Sequence, residues 1–234
     1  MPASTAPVRL VLASQSPARL ATLAAAGVTP RVVVSDVDEP AVLDAARAGF
    51  GGDLEPADAV LVLAQAKAED VSARLEEGDA DDADDDSAED ETSALVLGCD
   101  SMLELDGEIL GKPADAEDAR RRWRAMRGRA AVLHTGHWIV DVRDPEDGGT
   151  GGTLGASSST TVHFADVDDE EIDAYVATGE PLHVAGAFTI DGLGGPYVDR
   201  IEGDHHGVVG LSRPLLRELV GELEIPWRSL RSAG

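Results

Sequence analysis

The chain keeps lysine at only two positions, Lys67 and Lys112, although it carries 19 basic residues. Arginine supplies all the others. A lysine retained against that bias offers a compact point charge with three rotatable donors, which suits a site gripping a phosphate chain from several directions. Lys112 stands in Gly111-Lys112-Pro113, where glycine frees the backbone and proline stiffens it, so its ammonium is presented from a fixed turn. Chance survival at two neutral positions is the plain alternative. A second anion-binding pattern is Ser14-Gln15-Ser16-Pro17-Ala18-Arg19. A strand entering a helix there would expose backbone N–H groups and the positive end of a helix dipole, with two serines and Arg19 completing the grip. The competing reading is an ordinary capped helix with a solvent-facing arginine. A third pattern, Gly98-Cys99-Asp100-Ser101, follows the apolar run Leu95-Val96-Leu97. A carboxylate at the C-terminal end of a strand in an α/β fold sits where ligands and Mg²⁺ gather, unless it merely opens a turn. Cys99 reads as a small core residue. The glycine-rich stretch 185–192 could let backbone approach a flat ligand closely.

Positioning these groups requires alternating strands and helices. Residues 8–13 form an apolar strand. Ser16 and Pro17 then supply a hydroxyl N-cap and a proline at the first helical position for a helix over 18–26 that Gly27 ends. Residues 32–34 read as a strand and 36–39 as an acidic turn. Residues 57–77 read as a helix with Val60, Leu63, Ala64 and Val71 on one face. A buried-type strand covers 95–99, and Asp106-Gly107 turns a hairpin over 103–110. A helix over 115–127, strands over 130–133, 138–142 and 160–164, and helices over 168–177 and 214–223 follow. A flexible Gly/Ser loop spans 144–159. The interleaving gives an α/β class, with one domain of two lobes spanning residues 1–234.

Composition narrows the function. The net charge of −26 repels nucleic acid and anionic membranes, so neither is expected as a partner. An anionic substrate would need a locally basic pocket. Residues 78–91 carry many carboxylates and no base, and read as an acidic disordered insertion. The arginines at 120, 121, 122, 124, 127 and 129 form a local run expected to pair with neighbouring carboxylates on a solvated face. His134 with His137, and His205 with His206, lack the companions that a zinc site needs. One cysteine, no leader and no apolar run of spanning length suggest a soluble cytoplasmic protein.

Taken in order, the motifs resemble the Maf family of nucleoside triphosphate pyrophosphatases, whose fold is shared with inosine-triphosphatase-like house-cleaning enzymes. The residues that carry the resemblance begin with Ser14 to Arg19, Ala66-Lys67-Ala68, Cys99-Asp100-Ser101 and Leu105 to Pro113. They continue with His134-Thr135-Gly136, Thr178-Gly179-Glu180-Pro181, Ala185-Gly186-Ala187-Phe188 and Val208-Val209-Gly210-Leu211. The resemblance runs from Arg9 to Leu223. It implies a mixed α/β fold with an elongated sheet, flanking helices and two lobes around a deep groove, and a homodimer. It implies cleavage of a nucleoside triphosphate between the α and β phosphates, yielding monophosphate and pyrophosphate, with a divalent cation, Mg²⁺ or Mn²⁺. Asp100 matches the family's catalytic acidic position, as proton acceptor or metal ligand, and Glu39 matches a second residue holding the metal. Arg19, Lys67 and Lys112 match its phosphate-binding basic residues, with Ser14 and Ser16 beside them. A nucleotide-binding regulator of cell division without significant turnover is the rival reading.

Ala18, Ser101 and Asp191 resemble the family's base-selecting positions. Many relatives carry arginine where this chain has Ala18, and several carry glutamine where it has Asp191. A carboxylate only accepts hydrogen bonds, and guanine offers two adjacent donors, whereas uracil and thymine offer one between two carbonyls. Guanine-type triphosphates, including 7-methylated ones, are therefore expected over dTTP and UTP. The alternative is that Asp191 turns outward and pyrimidines are preferred.

Overall fold

The computed structural model describes residues 7–78 and 93–231, so the acidic run, apart from Gly78, lies outside the described residues. The chain begins with β1 (Leu10–Ala13), α1 (Pro17–Ala24), β2 (Arg31–Val32), α2 (Glu39–Phe50) and α3 (Pro56–Glu76). It continues with β3 (Leu95–Leu105), β4 (Glu108–Leu110), α4 (Ala116–Met126), β5 (Ala130–Asp141), β6 (Thr153–Phe164) and α5 (Asp169–Ala177). The last elements are β7 (Val198–Glu202), α6 (His205–Val209) and α7 (Arg213–Glu222). The mixed sheet has the order β2-β1-β3-β5-β6-β7, with β4 paired to β3. Pairing is parallel between β1 and both β2 and β3, and antiparallel in the β3–β4 and β6–β7 pairs. Among the described residues no helix is long and apolar enough to cross a membrane.

Contacts divide the chain into two compact units. One contains residues 1–100, 136–157 and 213–234; the other contains 101–135 and 158–212.

In the first unit, α3 lies so close to the strands that only residues without a side chain fit beneath it. A Cβ on Gly98 would stand 2.0 Å from the Ala64 carbonyl oxygen, and one on Gly136 would stand 2.3 Å from that of Val60. Ser157 Oγ donates to the Ala57 carbonyl at 2.6 Å, fixing the start of the helix. Val60, Leu63, Ala64 and Val71, the apolar face read from the sequence, are fully buried, and Ala68 joins them. The remainder of α3 presents Lys67, Asp70 and Arg74 along one line. Arg74 donates to the Val34 carbonyl at 2.9 Å, and Asp70 accepts from the Asp36 N–H at 3.1 Å. These contacts tie the segment before α2 to α3.

The second unit is built around Trp123, which is fully buried. Phe164, Tyr175 and Tyr197 meet its ring edge-on at centroid separations of 5.6, 5.4 and 5.7 Å. Its indole N–H donates to the Ala187 carbonyl at 2.7 Å, leaving no buried donor unpaired on that side chain.

Several elements depart from the sequence expectation. The acidic turn at 36–39 ends in α2, whose first residue is Glu39 and whose N-cap is Asp38, accepting from the Ala41 N–H at 3.1 Å. No residue of α2 is fully buried; Val42, Leu43 and Ala46 are half-buried along one face. Strand β3 does not stop near Cys99 but runs to Leu105, and the expected strands 130–133 and 138–142 are one strand, β5. The Gly/Ser loop is shorter than 144–159, because β6 begins at Thr153. Gly155 belongs in that strand because a Cβ there would stand 2.2 Å from the Trp138 ring. The loop itself is anchored: Asp141, fully buried at its side chain, accepts from Thr150 N–H and Oγ1 at 2.9 Å each and pairs with Arg143 at 2.8 Å.

Candidate functional site

The parallel register sets up the first group of residues. Ala13 ends β1 opposite Gly98, so β3 runs on past its neighbour, and Asp100 emerges beside the turn that leads into α1. Asp100 is therefore a mid-strand residue, not a strand-end one; what ends at this level is the adjacent strand. In the turn, Ser14 Oγ accepts from the Ser16 N–H at 3.2 Å and from Arg19 Nη1 at 3.0 Å. Ser16 is the N-cap of α1, accepting from the Arg19 N–H at 3.4 Å, with Pro17 in the first helical turn. The guanidinium of Arg19 is thus held against the start of its own helix.

Lys67 is the centre of the arrangement. Its Nζ lies 2.6 Å from Asp100 Oδ1 and 2.7 Å from Glu39 Oε1. Lys67 and Asp100 are each 8% exposed, whereas the Glu39 side chain is half exposed at the first turn of α2. The close seating of α3 on Gly98 produces this contact, since Lys67 is one turn past Ala64 and Asp100 two residues past Gly98. Burial raises the Asp100 carboxyl above the ordinary aspartate range; Lys67 and Arg19 act against that shift, and Glu39 adds to it. Desolvation outweighing two nearby cations is the mark of a carboxylate built into a site rather than left on a surface. Cys99 is fully buried, and burial pushes its thiol to about 11, so it is inert.

The remaining predicted residues belong to the second unit. Ser101 lies 2.9 Å from Thr135 Oγ1, and Thr135 gives its hydroxyl hydrogen to the Gly207 carbonyl at 2.8 Å. A carbonyl can only accept, so in this pair Ser101 is the donor to Thr135. Lys112 and Asp191 are both exposed. The hairpin that precedes Lys112 turns at Asp106 and Gly107, with φ of 55° and 83°, as Asp-Gly suggests.

What fixes the Lys112 turn is a residue the sequence does not announce. Arg122 Nη1 donates to the Gly111 carbonyl at 2.6 Å and Nη2 to the Lys112 carbonyl at 3.4 Å. Asp118 holds the same guanidinium at 2.7 Å, and Gly186 N–H also donates to the Gly111 carbonyl at 3.1 Å. Burial alone would raise the Asp118 carboxyl, but the Ala114 N–H, Arg122 and Arg121 outweigh it and hold it at about 2. Arg120, Arg121, Arg124, Arg127 and Arg129 pair with nearby carboxylates, as expected of the basic run. Arg122 departs from that expectation because its side chain is only 12% exposed and donates to backbone.

The glycine-rich stretch behaves differently from the expectation as well. Gly186 does not lie open to a flat ligand: a Cβ on it would meet Leu103 at 2.7 Å, and Ala187 and Phe188 are buried. His134 is also committed, with Ser159 Oγ 2.8 Å from Nδ1 and Glu104 Oε2 3.0 Å from Nε2. A cavity of about 380 Å³ lined by Arg9, Arg31 and Arg231 lies by the start of β1 and contains none of these site residues.

A family model described as "Maf-like protein" matches residues 9–223. A protein named nucleoside triphosphate pyrophosphatase from Salinispora tropica is 54% identical over 229 residues, covering 97% of this chain and 89% of its own. Proteins of the same name from Streptomyces coelicolor and Leifsonia xyli are each 51% identical, covering 92% and 95% of this chain and 90% and 96% of their own. A solved nucleoside-triphosphatase / dITP/XTP pyrophosphatase from Mycobacterium abscessus aligns over 93% of this chain and 96% of its own at 14% identity; its TM-score of 0.37 carries no argument.

Proposed function

The chain belongs to the Maf family, and from that premise we propose that it hydrolyses nucleoside triphosphates to the monophosphate and pyrophosphate. The observation that carries the reading is the Lys67 ammonium held between Asp100 and Glu39, with Arg19 near enough to act on the Asp100 carboxyl. On a chain with a net charge of −26 an anionic substrate needs cations placed locally, and Arg19 and Lys67 supply them beside Asp100.

In this reading water attacks the α-phosphorus and Asp100 accepts its proton. The bond from the α-phosphorus to the bridging oxygen breaks, and pyrophosphate leaves with that electron pair. Arg19, Lys67 and the positive end of the α1 dipole stabilise charge on the phosphoryl oxygens as it shifts to the leaving group. Lys112, matching the family's other phosphate-binding lysine, is assigned a phosphate contact, and Asp191 a contact to the base. No covalent protein nucleophile is required.

The donor set at Asp100 and Glu39 fits a hard divalent cation. Mg²⁺ and Mn²⁺ take one or two carboxylates and complete their coordination with substrate oxygens and water, and the exposed Glu39 side chain has room to adjust. Held there, such an ion would neutralise charge on the phosphate chain.

The test is product analysis over a panel of ribo- and deoxyribonucleoside triphosphates with Mg²⁺ or Mn²⁺. Monophosphate and pyrophosphate in equal amounts are expected. Orthophosphate as the product would indicate a phosphatase, and binding without turnover would indicate a regulator; either result defeats the proposal.

A further inference from the structure

Glu180 stands in the short 3-10 turn Glu180–His183, directly after Gly179, and its carboxylate is the hub of the loop that carries Asp191. Oε1 accepts from the Tyr175 hydroxyl at 3.1 Å, from the Gly194 N–H at 3.2 Å and from the Thr189 hydroxyl; Oε2 accepts from the Leu193 N–H at 3.1 Å. The Tyr175 oxygen in turn accepts from the Thr189 N–H at 3.2 Å. The loop is wrapped tightly on this group. A Cβ on Gly192 would stand 2.6 Å from Glu180 Oε2, and one on Gly194 would stand 2.5 Å from the Tyr175 hydroxyl oxygen. Asp191 and Leu193 lie on the outside of the same loop, both exposed, and Leu193 is 57% exposed despite being apolar.

Every donor to Glu180 is neutral, and among the described residues no cation lies within ion-pair distance of it. Burial would raise its carboxyl, but the donated hydrogen bonds from Thr189, Leu193, Tyr175 and Gly194 outweigh that and lower it. A half-buried carboxylate satisfied by four neutral donors is far more than the closing of a turn requires, since an ordinary turn needs one bond. It is an effective way to fix six consecutive residues in one conformation, because Thr189 donates from the start of the loop, Leu193 and Gly194 from its end, and Tyr175 ties the same carboxylate to α5.

We propose that Glu180 is a positioning residue for base selection: it fixes the loop 189–194 so that Asp191 faces the base in one orientation, without itself touching substrate. The inference rests on the reading of the chain as a nucleoside triphosphate pyrophosphatase. Glu180→Gln tests it with the least change of shape. A glutamine keeps one accepting oxygen, but its amide can only donate, so either Leu193 N–H or the Oε1 donor set must face another donor.

Two quantities are measured: kcat/KM for GTP and for dTTP, and hydrogen exchange of the Leu193 and Gly194 amides. In Glu180→Gln the ratio of the two kcat/KM values shifts by about fivefold or more through KM, while kcat for the better substrate stays within about threefold. The two amides exchange roughly tenfold faster or more. Thr189→Val, which removes one donor and leaves the carboxylate in place, moves both readings in the same direction by less. This milder variant keeps the proposal testable if Glu180→Gln fails to fold. In an Asp191→Ala background, Glu180→Gln leaves the base ratio where Asp191→Ala set it.

Loosened amides with an unchanged base ratio overturn the proposal, because Glu180 then only holds the fold. A full further shift in the Asp191→Ala background overturns it too, because Glu180 would be acting by another route. Absence of any triphosphate cleavage by the wild type removes the underlying reading and this inference with it. That failure is seen before any variant is made, so it is distinguishable from the others.

Discussion

In the first unit the groups assigned to chemistry hold one another: Lys67 binds Asp100 and Glu39, and Arg19 is fixed by Ser14. In the second unit the assigned groups, Lys112 and Asp191, are exposed, and other residues do the holding. Arg122 and Asp118 fix the backbone under Lys112, and Glu180 with Tyr175 and Thr189 fixes the loop of Asp191. The difference is one of desolvation. A buried charge must have its counter-charge present before substrate arrives, so functional residues in such a place are paired with each other. An exposed charge is solvated at little cost, and what it needs from the fold is a fixed point of attachment. The two units should therefore respond differently to substitution, and four experiments exploit that.

The largest effects belong to the charge cluster. Asp100→Asn should lower kcat/KM by about 10²-fold or more, since a neutral amide neither takes a proton nor binds a divalent cation well. Its melting temperature should hold, because an amide costs less to bury than a carboxylate. Lys67→Met should lose activity and also about 3 kcal/mol of stability, because Asp100 is left buried without its cation. A Lys67→Met variant as stable as the wild type would show that Lys67 does not compensate the buried Asp100 carboxylate. Thermal denaturation beside initial rates makes the comparison.

Gly98→Ala comes next. The new Cβ would sit 2.0 Å from a backbone carbonyl of α3, and neither strand nor helix can yield locally. A loss of about 3 kcal/mol from overpacking is expected, with turnover falling because Lys67 moves away from Asp100. A melting temperature within a degree of wild type would mean that α3 seats less tightly than the glycine contacts indicate.

Arg122→Met addresses the second unit. Removing the guanidinium frees the Gly111 and Lys112 carbonyls, so the lysine loses its fixed origin. KM for a triphosphate should rise by about tenfold while kcat changes by less than about threefold. A fall confined to kcat would place Arg122 in the chemistry and not in the positioning of Lys112.

The smallest effect is a pH dependence. Asp118 titrates at about 2 in the folded protein, below the usual aspartate value of ~3.9. It contributes stability that is present above about pH 4 and is lost as the pH falls through its folded value. The stability gap between wild type and Asp118→Asn, measured by denaturant unfolding, should be larger at pH 6 than near pH 2.5. A gap that does not change with pH would mean that ionisation of Asp118 is not what secures the Arg122 clamp.

Much of this was legible in the residues. The periodicity of α3, the Ser16–Pro17 helix start and the Asp106-Gly107 hairpin are each written within a short window of sequence. The elements misread were those whose logic is not local. Helix α2 has no fully buried residue, and the serines and glycines of β6 look like a loop until Gly155 is seen against Trp138. Arg122 reads as one arginine among six neighbours, because nothing in its own segment shows the carbonyls it will reach. Glu180 appears in a recognisable motif, but its donors come from residues 175, 189, 193 and 194.

The sequence by itself determined the kinds of chemistry available. Two retained lysines, a serine–proline–arginine helix start and an aspartate after an apolar strand specify anion binding with a carboxylate at hand, because side-chain type decides what can donate, accept or carry charge. The tertiary structure decided which of these groups act as a unit. Lys67 and Asp100 are 33 positions apart and meet at 2.6 Å only because glycine at 98 lets a helix lie on a strand backbone to backbone. That close approach also removes water, which is what raises the Asp100 carboxyl and what no list of residue types contains.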